Sequence, residues 1–165
     1  MTTKTNFETM RQTLLLLFLA LILMPDTINA LPFKEISTDN GLSNRRVQES
    51  ILDDNGYIWF ATRSGIDRYN GEFFVHYTLS ISAENEVTEH PRGILINDQK
   101  EIYAFSEANI YKFSYETDSF HQVNNVNLTQ REAINAITFD PTGHLWIGTT
   151  EHLYRFNTND STLQS

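Results

Sequence analysis

The 165-residue chain carries 12 Lys and Arg against 21 Asp and Glu, a net charge of −9, with 40% hydrophobic residues. That length suits one domain, and the acidic balance argues against the basic surface with which proteins neutralise nucleic-acid phosphates. With no cysteine in the chain, disulfide frameworks, thiolate zinc sites and thiol catalysis are excluded.

Residues 1–30 form the first segment. Lys4 and Arg11 precede an unbroken apolar run, LLLLFLALILM, from Leu14 to Met24; Pro25 ends it, and Ile28-Asn29-Ala30 follows. A basic start, a short apolar stretch and a small residue at the cut position describe a secretory signal peptide cleaved after Ala30. A bilayer span takes about 20 apolar residues, so no membrane span is expected. A short uncleaved anchor is the alternative. The next segment, 31–45, reads as an outer strand over Leu31–Thr38 and an entry loop, because Phe33–Ile36 resembles Phe74–Tyr77 and Phe120–Val123.

Residues 46–165 then divide into three similar pieces, 46–90, 91–132 and 133–165. The first holds strand-like runs at Val47–Leu52, Tyr57–Thr62, Gly65–Tyr69 and Phe73–Thr78. The second holds Gly93–Ile96, Glu101–Phe105, Ile110–Tyr115 and Phe120–Val123. The third holds Ile134–Phe139, His144–Gly148, His152–Phe156 and Ser161–Leu163. Alternating apolar residues, β-branched and aromatic side chains, and Asn, Asp or Gly punctuation mark these as strands. DDNGYIWFATRSGIDRYN from Asp53 and DPTGHLWIGTTEHLYRFN from Asp140 share Asp53/Asp140, Gly56/Gly143, Trp59/Trp146, Thr62/Thr149, Arg68/Arg155 and Asn70/Asn157. The middle copy, from Asn97, keeps the register but has Lys100 for the turn glycine, Tyr103 for the Trp and Ser106 for the Thr. The Asp can accept bonds from its own downstream backbone, and the Gly accepts positive φ. A repeated four-stranded unit of this kind predicts an all-β fold of β-propeller blades: three blades plus one orphan outer strand, an incomplete propeller. Trp59, Tyr103 and Trp146 then wedge between neighbouring blades, and flanks without a neighbour expose apolar surface that favours association.

The run Asp39-Asn40-Gly41-Leu42-Ser43…Val47, with Asp53-x-x-Gly56-x-Ile58-Trp59-Phe60-Ala61-Thr62 and Gly65-Ile66-Asp67-Arg68-Tyr69, resembles the two-component regulator propeller repeat. The resemblance spans residues 31–165 and implies a periplasmic ligand-sensing module. It further implies partners outside this chain: more C-terminal blades, an output domain (a histidine kinase or a diguanylate cyclase), and a small extracytoplasmic ligand, often a carbohydrate fragment. No cofactor and no metal are expected. The sequence contains no G-x-S-x-G elbow and no H-E-x-x-H, so the chain reads as a non-enzyme.

A ligand would meet the blade-top loops, because loops held on a rigid scaffold carry binding residues. Arg45, Arg46, Arg63, Glu107, Arg131 and Glu151 are the candidate ligand-binding residues there, and the arginines suit a uronic-acid carboxylate or a sulfate. Asp53, Gly56, Trp59, Thr62, Tyr103, Asp140, Gly143, Trp146 and Thr149 are structural repeat residues. The competing function is a propeller scaffold for protein–protein contacts. Export is directly testable: N-terminal sequencing of periplasmic material should begin at Leu31, whereas Met1 on membrane-bound product indicates the uncleaved anchor.

Overall fold

The computed structural model of the chain describes residues 10–18, 33–81, 87–128 and 132–165. Most of the apolar N-terminal run, the expected cut after Ala30, and Arg131 lie outside the described residues. Residues 1–35 and 36–165 divide into two compact units. In the first, residues 10–18 are helical, and no helix among the described residues is long and apolar enough to cross a membrane.

Residues 36–165 form three blades of an open β-propeller. Strands β1 (Val47–Leu52), β2 (Ile58–Thr62), β3 (Gly65–Tyr69) and β4 (Phe74–Tyr77) make the first antiparallel sheet in sequence order. A two-stranded hairpin, β5 (Leu79–Ser80) with β6 (Thr88–Glu89), follows. The second blade is β7 (Gly93–Ile96), β8 (Ile102–Phe105), β9 (Ile110–Ser114) and β10 (Ser119–Gln122). The third is β11 (Ile134–Phe139), β12 (His144–Thr149), β13 (Leu153–Asn157) and β14 (Thr162–Gln164).

The three turns between first and second strands repeat one hydrogen-bond pattern. The amides of Gly56, Lys100 and Gly143 donate to the carbonyls of Asp53, Asn97 and Asp140 at 3.1, 3.0 and 2.9 Å. The fourth turn residue is left-handed in every copy, with φ of 83° at Gly56, 65° at Lys100 and 84° at Gly143. A lysine there costs about 1 kcal/mol relative to glycine, so the second blade keeps the turn despite its sequence. Asp53 Oδ1 accepts from the amides of Asn55 and Tyr57, both at 2.9 Å, and its Oδ2 accepts from Trp59 Nε1 at 2.7 Å. Asp140 repeats this with Thr142, His144 and Trp146 Nε1, the last at 2.9 Å. The Thr142 hydroxyl and the Trp146 indole hold the Asp140 carboxyl well below the usual carboxylate range. In the second blade Asn97 Oδ1 accepts from Glu101 N at 2.8 Å, and Glu101 takes over the aromatic by accepting from Tyr103 OH at 3.1 Å.

Strand alternation sends each blade's residues to opposite neighbours. Trp59, Ala61, Ile66 and Tyr77 of the first blade bury against Ile94, Ile102, Ala104, Tyr111, Phe113 and Phe120 of the second. Tyr103, Phe105 and Ile110 of the second bury against Ile134, Leu145, Ile147, Tyr154 and Phe156 of the third. Trp59 is 0% exposed, in edge contact with Phe113 at 4.8 Å between ring centroids. Arg68, beside it, lies over the Tyr57, Trp59 and Tyr77 rings and pairs with Asp118 of the second blade at 2.9 Å.

Three places differ from the sequence reading. The orphan outer strand is absent from the described part of Leu31–Thr38: Phe33–Ser37 carries no ladder, and Thr38–Asn40 is a 3-10 turn. Local bonds win over pairing here, since Ser37 and Asn40 form a capping box and Gly41 closes the turn at φ 104°. Leu42 is buried beyond this turn, and a side chain at Gly41 would meet Phe74 at 3.3 Å, so the entry segment lies on the first flank of blade one. The β5–β6 hairpin was not expected. Finally, Trp146 is half-buried rather than wedged, and Leu153 on the same flank is 59% exposed.

That contrast gives a measurable difference. Trp59→Ala should lower unfolding stability by about 3–5 kcal/mol. Trp146→Ala, with part of its surface already in water, should cost about 1–2 kcal/mol. Equal losses in urea denaturation would mean that Trp146 is covered in solution.

Candidate functional site

The tops of the inner strands converge on a cleft of about 670 Å³ lined by Arg46, Gln48, Arg63, Thr88–Arg92, Ser106, Glu107 and Asn135. Two matching irregularities shape it. The β1–β2 register shifts between Val47 and Glu49, and the β11–β12 register shifts between Ile134 and Ala136. The extra residues are Gln48 and Asn135, and a bulge of this kind re-aims a side chain. Gln48 Nε2 donates to the Pro91 carbonyl at 3.2 Å. Asn135 Oδ1 accepts from Arg92 Nη1 at 3.2 Å, and the same nitrogen donates to the Ile134 carbonyl at 3.3 Å.

Beneath the cleft each blade carries one carboxylate that ties its entry residue to the corner of strands two and three. In the first blade it is Asp67, 0% exposed. Its Oδ2 accepts from the Ser43 hydroxyl at 2.7 Å and from Ser43 N at 2.9 Å, while His76 Nδ1 lies 2.9 Å from Oδ1. In the second and third blades the polarity is reversed: the acid sits on the entry residue and a tyrosine on the third strand. Glu89 accepts from Tyr111 OH at 2.7 Å, from Asn109 Nδ2 at 2.9 Å and from the Ser106 hydroxyl. Burial, then the bond to Glu89, pushes the Tyr111 hydroxyl far above its ordinary value. Glu132 accepts from Thr149 Oγ1 at 2.7 Å and Tyr154 OH at 3.0 Å, with His152 Nδ1 at 3.0 Å.

The candidate ligand-binding residues separate on this framework. Arg46, Arg63 and Glu107 line the cleft. Arg45 is exposed but outside the lining, and Arg131 lies outside the described residues. Glu151 is exposed on the third blade's corner, where ligand atoms of Glu132, Glu151 and His152 lie within 4.8 Å of one another. That is a possible geometry for a cation, but Glu132 fills the same structural place as Asp67 and Glu89, and its carboxylate already receives protein donors. Thr62 and Thr149 belong to these clamps, with Ser43 Oγ 2.9 Å from Thr62 Oγ1. Gln48, Glu89, Arg92 and Asn135 of the cleft were missed from sequence, the first and last because bulges alone turn them there. Arg92 has no counterpart in the repeat motif. Glu89 belongs to the unexpected hairpin.

A family model described as two component regulator propeller matches residues 128–151, so the third blade carries that repeat. No curated protein matches the chain. Among solved structures, the chain is similar to the extracellular domain assigned to a hybrid two-component system of B. thetaiotaomicron, at 21% identity and a TM-score of 0.65 over 80% of this chain and 20% of that one. A second extracellular domain from B. thetaiotaomicron, assigned to a one-component system, matches at 18% identity and a TM-score of 0.65, over 80% of this chain and 18% of the other. Virginiamycin B lyase from Staphylococcus aureus matches at 15% identity and a TM-score of 0.57, over 72% of this chain and 40% of that one. The chain thus spans about a fifth of the length of the first two. At these identities the likenesses concern the propeller fold.

The clamp and cation readings of Glu132 predict different results. As a clamp, Glu132→Gln should cost about 1–3 kcal/mol in stability by leaving buried donors poorly matched. Added Zn²⁺ or Ca²⁺ should leave the melting temperature unchanged. A metal-dependent rise that Glu132→Gln removes would make the corner a cation site.

Proposed function

We propose that this chain is a ligand-sensing propeller segment of an extracytoplasmic signalling protein. A small molecule occupies the cleft, and its differential affinity for two states of the blades biases a downstream output. The observation that supports this most is the pair of bulges at Gln48 and Asn135, which turn amide side chains toward one polar cleft bordered by all three blades. A cleft of that volume is in the range of small-ligand sites. The likeness to extracellular domains of two-component and one-component systems agrees with an input role. On this reading residues 1–30 direct export to the periplasm. Further blades and a kinase or cyclase output belong to the same protein, and the propeller contributes recognition rather than catalysis.

A protein-binding scaffold is the second reading, favoured by the half-buried Trp146 and exposed Leu153 on the third blade's flank. The two separate in one set of measurements. The full chain, screened by thermal shift against acidic and neutral mono- and disaccharides, should melt higher with at least one of them. Gln48→Ala with Asn135→Ala should remove that shift. A coding sequence that continues into a membrane span and an output domain completes the expectation. A stop after Ser165, no small-molecule shift and a co-purifying protein partner would favour the scaffold.

A further inference from the structure

We infer that the cleft recognises an oxyanion, a carboxylate or sulfate carried on a small hydroxylated ligand, through the guanidinium groups of Arg46 and Arg63. This rests on the cleft being the ligand site proposed above and adds the ligand's charge.

Three arginines, Arg46, Arg63 and Arg92, line one cleft in a chain of net charge −9. Two acids line it as well, and both are accounted for. Glu89 points its oxygens into the second blade, where Ser106, Asn109 and Tyr111 donate to them. Glu107 Oε2 lies 3.4 Å from Arg92 Nη2. Arg92 is further committed to Asn135 and the Ile134 carbonyl. Arg46 and Arg63 form no ion pair among the described residues, yet their backbones are fixed. Asn44 Oδ1 accepts from Arg46 N at 2.8 Å, Arg63 N donates to the Arg46 carbonyl at 3.3 Å, and the Arg63 carbonyl lies 2.8 Å from His90 Nδ1. Two forks therefore leave adjacent, tied positions with five N–H donors each and no acid partner among the described residues. A fork of this geometry suits a bidentate oxyanion. The amides of Gln48 and Asn135 and the Thr88 hydroxyl also line the cleft and suit ligand hydroxyls.

The chain's overall charge makes this specific. A diffuse field of net −9 repels anions, so an anion that binds does so through local forks rather than general attraction. Arg45, next to Arg46 in sequence but outside the lining, serves as a control of equal charge.

The test is titration calorimetry on the full chain with glucuronate, glucose 6-sulfate, glucose and inorganic sulfate, at constant ionic strength set with chloride. Glucuronate or glucose 6-sulfate should bind about tenfold or more tightly than glucose, the effect of one charge-assisted contact, and inorganic sulfate should compete. Arg46→Ala and Arg63→Ala should each weaken the favoured anion by about tenfold, Arg63→Lys should recover only part, and Arg45→Ala should change nothing. Thermal melts confirm that each variant is folded. Glucose binding as tightly as both acids, or acid binding unchanged in the Arg46→Ala, Arg63→Ala double variant, overturns the inference, as does no binding of either anion. Glucose binding that the Gln48→Ala, Asn135→Ala variant abolishes keeps the ligand-sensing reading and removes only the anion. Anion binding that leaves the output of the membrane-bound protein unchanged does the reverse.

Discussion

The first and third blades are each organised by one side-chain acid at the turn between their first two strands. In Asp53 one oxygen holds the turn by accepting from two backbone amides, and the other accepts from the indole of Trp59. The same carboxylate also accepts from Tyr115 OH of the next blade at 3.0 Å. A single group therefore fixes the turn, orients the aromatic and links two blades. The bond is nearly dry, with Asp53 5% exposed. The second blade reaches the same end with different parts. Asn97 takes the turn, Glu101 takes the tyrosine, and Lys112 both pairs with Glu101 and lies 5.7 Å from the Tyr103 ring centre. Burial disfavours the Glu101 charge, yet Lys112 and Asn97 together hold its carboxyl below the usual range.

At the opposite end of the blades a second set of acids does comparable work, and its chemistry moves between chain positions. The first blade places the acid on the third strand and a serine at the entry. The other two place a glutamate at the entry and a tyrosine on the strand, Tyr111 or Tyr154. What is kept is one carboxylate facing hydroxyl donors at one place in space. Because these acids are spent on the scaffold, the described residues of the cleft above them offer more arginine than free carboxylate. Its polarity follows from how the blades are held together.

Much of the fold was legible because it depends on short-range pattern. The observed β1, β3, β7, β9 and β11 begin at the positions that alternation and turn residues indicate, and the Asp-x-x-Gly turns could be read as turns from the Asp and the Gly together. The hairpin β5–β6 could not, since two-residue strands among polar residues leave no period to detect. Phe33–Ser37 has the apolar spacing of an outer strand, but a strand needs a ladder partner that its own sequence does not specify, and Ser37 with Asn40 offered a local alternative. The site was less legible still. Arg45 and Arg46 look equivalent in sequence; only the entry path into β1 separates the one outside the cleft from the one lining it. Gln48 of the first blade, Glu89 and Arg92 of the second and Asn135 of the third come together at the cleft, a convergence of distant positions that no local motif records.

Trp59 and Trp146 carry the limit of motif reading furthest. Each accepts the same role from its turn, with an indole bond to an aspartate and a basic residue, Arg68 or Arg155, opposite it across the strands. One is fully buried and the other half-buried. The difference lies in what the second blade brings to the first: Phe113 and Phe120 against the ring, and Asp118 against Arg68 and Tyr77. Arg155 has no such acid among the described residues, and its Nε is enclosed without a hydrogen-bond partner. The motif therefore fixes where an aromatic points and which hydrogen bond holds it. Burial, and with it most of the energy, comes from the neighbouring blade, so identical repeats along one chain contribute unequally to its stability.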